Sequence, residues 1–89
     1  MRYKASEEFW KNFHRLSSEQ KAIVRGAWLI FKVDPFDRRL GTHKIHVLST
    51  KAKKTIYSVV VDANLRVLFY IEGDTVFTID VGSHDIYKV

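Results

Sequence analysis

The chain has 89 residues, a net charge of +5, a pI near 9.6, 46% hydrophobic and 13% aromatic residues, and no cysteine. This composition fits a single folded domain over residues 1–89 with a modest core, and it excludes a disordered tail, a disulfide scaffold and a thiolate metal centre. Met1 leads into RYKASEEF without an apolar leader and the longest apolar runs are too short to span a bilayer, so a cytoplasmic location without a membrane partner is expected. The positive excess suits a polyanion or an acidic protein.

SEEFWKNFHRL predicts an amphipathic helix, with Ser6 as N-cap and Glu7 and Glu8 at the positive end of the dipole. Phe9, Trp10, Phe13 and Leu16 recur at helical spacing, and Trp10 and Trp28 read as core. SSEQ predicts a capping box between Ser17 and Gln20 that opens a second helix, with Ala22, Ile23, Ala27, Ile30 and Phe31 buried and Asp34-Pro35 as its end. The first third is thus a helical hairpin.

After PFDRRLGTH the period changes. HKIHVLS alternates and predicts a strand, with Ile45 and Val47 on one face and Lys44, His46 and Leu48 on the other. TIYSVVVD and RVLFYIE are β-branched and aromatic, DANL supplies a turn between them, and EGD marks a tight hairpin at Gly73. TVFTIDVG is the last strand, read with Phe77, Ile79 and Val81 facing one way and Val76, Thr78 and Asp80 the other. The expected fold is α+β, an N-terminal helical hairpin packed on one face of a mainly antiparallel sheet whose other face stays open.

The chain closes on VGSHDIYKV, which presents His84 and Tyr87 just past the last strand. Counting outward from Gly73 sets Arg66 opposite Asp80, a few residues from His84. His43, Lys44 and His46, with the Lys51, Lys53 and Lys54 cluster and Arg38 and Arg39, add groups that hold a phosphate backbone. Cleaving RNA through its 2′-hydroxyl needs a base, an acid and cations on the phosphorane, which His84, Arg66 and the lysines can supply, with Tyr87 stacking on a base or assisting proton transfer. No metal or cofactor is expected. The plain alternatives are a polar strand end for His84 and Tyr87, a solvated charge for Arg66 and an edge-protecting lysine cluster.

At these residues the chain resembles the RelE/ParE superfamily of toxins from type II toxin–antitoxin pairs, through FWKNFHRL, AWLIFKVDPF, LGTHKIHVL, YSVVVDANLRVLFYIEGD and VGSHDIY. The arginine that opens RVLFY and the Gly-x-His-Asp-x-Tyr ending look like the RelE branch. The resemblance implies a ribosome-dependent mRNA endonuclease neutralised by a cognate antitoxin. It implies that Arg66 contacts the scissile phosphate, that His84 and Tyr87 are catalytic, and that His43, Lys44, His46, Lys51, Lys53 and Lys54 contact RNA. Two departures stand out: LSTKAKKTIYS lacks the glycines relatives often carry there, and only RYKAS stands where many relatives have a first strand. A ParE-like gyrase inhibitor and a non-catalytic basic RNA-binding module are the alternatives.

Overall fold

The computed structural model describes residues 1–87. In chain order it holds β1 (Arg2–Ala5), α1 (Glu7–His14), α2 (Ser18–Phe31), a 3-10 turn (Arg38–Leu40), β2 (His43–Lys44), α3 (His46–Ala52), β3 (Tyr57–Asp62), β4 (Leu65–Glu72), β5 (Thr75–Gly82) and a terminal 3-10 turn (His84–Tyr87). The strands form one sheet in the order β1-β5-β4-β3-β2, parallel only between β1 and β5. The expected α+β architecture holds. RYKAS does pair: Tyr3 lies beside Val76 at the sheet edge, and its hydroxyl donates to Phe31 O at 3.1 Å. None of the helices is long and apolar enough to cross a membrane among the described residues.

Both helix starts form as their sequences dictate. Ser6 Oγ accepts from Phe9 N at 3.0 Å, and Ser17 and Gln20 exchange side-chain-to-backbone bonds at 3.1 and 3.0 Å. Helix α2 stops at Phe31, ahead of Asp34-Pro35, and its buried face centres on Val24 and Phe31 while Ala22 is exposed. The Asp34 carboxylate instead caps the following turn by accepting from Phe36 N at 2.9 Å. Asp37 caps the 3-10 turn through Arg39 N and pairs with the Arg39 guanidinium at 3.0 Å, and these hydrogen bonds hold its carboxyl down at about 2. Its folded value lies below its unfolded one, so the small stabilisation is complete above the unfolded value and is lost as pH falls through about 2. Acid titration of melting temperature is therefore expected to be flatter in Asp37→Asn than in the parent below pH ~4.

Two stretches differ from the sequence reading. HKIHVLS is not a strand: only His43–Lys44 pairs with β3, and His46–Ala52 is helical. A short alternating stretch also satisfies helical spacing, and here Ile45, Leu48 and Ser49 turn inward while Val47 stands 58% exposed. Ser49 Oγ donates to Ile45 O and accepts from Ile56 N, both at 2.8 Å, which pins α3 to the start of β3. Lys44 and His46 therefore do not share a strand face. In β5 a bulge changes the alternation: Thr78 lies opposite Phe69 and Asp80 opposite Leu68, leaving Ile79 as the extra residue. Val76 and Val81 consequently enter the same core, whereas Phe77 faces away from it beside Tyr70.

The core fills the face under α1 and α2, where Phe9, Phe13, Val24 and Phe31 meet Val59, Val67, Phe69, Val76 and Val81. Phe69 is fully buried within a ring cluster of Phe31, Phe36 and Tyr57. Helix α1 packs on β5 and α2 on β3. An apolar cleft of about 540 Å³ remains between them, floored by Val59, Val67 and Thr78. Trp10 and Trp28, expected in the core, line this cleft at 48% and 42% exposure. Trp10 stands one position past Phe9, whereas Trp28 keeps the helical spacing of Val24 and Phe31, and both indoles reach solvent through the open cleft.

Candidate functional site

Alternation along β4 sends Val67 and Phe69 into the helix-covered core and Arg66, Leu68 and Tyr70 to the opposite face. Arg66 lies opposite Val60 on β3 and Gly82 on β5, not opposite Asp80. The difference has two sources. The hairpin closes between Glu72 and Thr75, and the bulge adds a residue to β5. Asp80 turns instead toward α1, where its carboxylate accepts from Asn12 Nδ2 at 2.7 Å. The shift carries Arg66 closer to the chain tip than the symmetric count does, two positions from His84 through its partner Gly82.

The terminal turn folds over this same face. Tyr87 is half-buried and its hydroxyl shares a short hydrogen bond with Ser58 Oγ, which is fully buried. Ile86 lies against Gly82 so closely that a Cβ at position 82 would meet its Cγ2 at 2.5 Å. These contacts cover the central row of the face, where Leu68 is buried opposite Ser58 although it belongs to none of the helix-side core. The expectation of an open second face therefore holds only at its flanks. Sequence reading missed Ser58, yet a lone hydroxyl inside the apolar YSVVVD was the signal, since a buried hydroxyl requires a partner.

The Arg66 guanidinium curls toward the β3–β4 turn. Its Nη1 donates to the carbonyls of Asp62, Ala63 and Leu65, the latter two at 3.1 and 3.2 Å. All these bonds use one nitrogen, so among the described residues the Nε and Nη2 donors remain for an anion, and the turn carbonyls orient the fork. The side chain of His84 lies outside the described residues, while its backbone opens the terminal turn.

His43 is the Cα partner of Ser58 and so belongs to the Arg66 face. By strand spacing its Cα lies about 12 Å from that of Arg66, within reach of one nucleotide held between the two side chains. Its Nδ1 is 2.9 Å from Gly41 O. A carbonyl only accepts, so in the neutral ring Nδ1 carries the proton and Nε2 is the acceptor. Gly41 takes a positive φ of 56° at this turn, which aims that carbonyl at the ring.

The remaining basic residues are dispersed. Lys44, His46 and Lys54 line a polar recess of about 260 Å³ with Ser49, Thr50 and Thr55, at the β2 edge of the sheet. Lys51 and Lys53 are exposed outside that lining, and Lys53 ends α3 with a left-handed φ of 58°. Lys54 Nζ lies 4.2 Å over the Tyr70 ring and 3.9 Å from Glu72. Arg39 is held by Asp37. Among the described residues, no cluster of three or more His, Asp or Glu is placed to hold a metal ion.

No model of a known protein family matches this sequence, and no curated protein matches it. Solved structures do. An archaeal RelE from a RelE–RelB complex of Pyrococcus horikoshii OT3 superposes with a TM-score of 0.70 at 12% identity, covering 92% of each chain. A YoeB/ParE toxin from Agrobacterium tumefaciens gives 0.71 at 16% identity over 94% of this chain and 99% of that one. The E. coli DinJ–YafQ complex gives 0.68 at 15% identity over the full length of both chains. Over nearly all its length, then, the chain has the fold of the RelE/ParE toxins.

Proposed function

We propose that this protein is the toxin of a toxin–antitoxin pair and that it cleaves mRNA on the ribosome by 2′-hydroxyl attack. The observation that carries this reading is the register of β4. It sets Arg66 opposite Gly82, beside the turn that bears His84 and Tyr87, on the face that also holds His43. His43 Nε2 takes the proton from the 2′-hydroxyl, and the 2′-oxygen then bonds to phosphorus. Arg66 neutralises the phosphorane, with lysines on the flanking phosphates. The bond to the 5′-oxygen breaks as His84 protonates it, giving a 2′,3′-cyclic phosphate and a 5′-hydroxyl. Tyr87, fixed by Ser58, positions the nucleotide at the cut. Side chains fill every role, so the scheme calls on no metal or cofactor.

The antitoxin is the second partner in this reading. The cleft between α1 and α2 exposes two indoles, and among the described residues its side-chain lining includes His14 and Arg25 but no carboxylate. An acidic segment with an apolar face complements it.

The reading is tested with purified protein, translating ribosomes and primer extension. Cuts within the ribosome-bound message, lost in His84→Ala, are expected. Growth arrest with DNA breaks and intact mRNA would point to gyrase instead. RNA binding without cuts would point to a non-catalytic module.

A further inference from the structure

On the face that carries Arg66, Tyr70 and Phe77 are cross-strand partners whose rings stack at 5.0 Å and 17°. Both are half-buried, with part of each side chain open to solvent. Lys54 caps the outer face of Tyr70 at 4.2 Å, and on the other side the register of β1 puts Lys4 beside Phe77. The row across the sheet thus reads lysine, tyrosine, phenylalanine, lysine. A ring pair that served only sheet packing has no need of a cation at each end. Glu72, 3.9 Å from Lys54, is the one carboxylate in an ion pair here among the described residues, and a phosphate would compete with it for the ammonium.

We propose that this row is a ledge for single-stranded RNA, in which one base stacks on the outer face of Phe77 and Lys4 and Lys54 take the phosphates on either side. The proposal rests on the RNA reading above and extends it to a nucleotide away from the cut. Tyr70 lies four residues from Arg66 along β4, about 13 Å at strand rise, a span that a short run of extended nucleotides covers. Stacking is available to every base, so the ledge contributes affinity and phasing without reading sequence. Leu68 and the terminal turn lie between ledge and Arg66, which keeps the two contacts on separate nucleotides.

The test uses a fluorescent 2′-O-methyl oligoribonucleotide, which lacks the attacking hydroxyl and cannot be cut. Anisotropy is measured with the parent, Phe77→Leu, Phe77→Trp and a Lys4→Gln/Lys54→Gln pair. Phe77→Leu is expected to bind roughly tenfold more weakly and Phe77→Trp like the parent. The lysine pair is expected to reduce the salt dependence of binding. An oligonucleotide abasic at one position is expected to erase the difference between parent and Phe77→Leu. Equal affinity of parent and Phe77→Leu overturns the ledge. So does parent protein that ignores the oligonucleotide while still cutting ribosome-bound message, an outcome that leaves the nuclease reading standing. A parent that binds the oligonucleotide yet cuts nothing on ribosomes overturns the nuclease reading and leaves the ledge in place.

Discussion

Arg66→Ala is expected to keep its fold and to lose about two to three orders of magnitude in cleavage rate, the scale seen when a single donor to developing charge is removed. Its Nη1 bonds reach only turn carbonyls near the surface, so little stability goes with it. The melting temperature should stay close to that of the parent. Arg66→Lys is expected to recover only part of the rate. An ammonium is a point charge that cannot hold the turn carbonyls and present two parallel donors to a phosphate at once. Single-turnover cleavage on programmed ribosomes reads the rate, and growth arrest on induction reads it in cells. A folded Arg66→Ala protein that cuts as fast as the parent removes the arginine from the chemistry.

That arginine also shows what a sequence can and cannot disclose. The hairpin at Gly73 was legible because glycine at a positive φ, here 64°, is the local solution to a tight turn. Both helix caps were legible for the same kind of reason, since Ser6, Ser17 and Gln20 act within a few residues of themselves. The bulge at Ile79 was not. Ile79 looks like any strand residue, and the slip arises from long-range demands that Val76, Thr78 and Val81 all bury against Phe69 and Val67. Helix α3 was missed because seven residues carry too few turns for period 2 and period 3.6 to part company. What decides it is Ser49, whose hydroxyl bonds bridge to Ile56 across the loop. The two tryptophans misled for a different reason. Residue type predicts average burial, but α1 and α2 rest on different strands and leave a cleft that the described residues do not fill. Arg66, His43 and Tyr87 could be named as candidates from the sequence, but Ser58 was missed and the register that brings them to one face could not be read.

The contact between Gly82 and the terminal turn leads to a second strong prediction. A methyl group added at position 82 would meet Ile86 Cγ2 at 2.5 Å, and that carbon sits on a β-branched stem whose χ1 is stiff. Gly82→Ala should therefore lift the terminal turn from the sheet and pull the Tyr87 hydroxyl off Ser58. The turn contributes nothing to the helix-side core, so global stability should change little. Catalysis should fall by about a hundredfold, since displacing a positioned group by an ångström costs that much. Steric cause distinguishes this from general damage. Ile86→Ala removes the offending carbon, so the double variant Gly82→Ala/Ile86→Ala is expected to regain most of the lost rate, a coupling that independent sites do not show. A double variant no better than Gly82→Ala alone would mean that position 82 matters for its backbone rather than for the space it leaves beneath the turn.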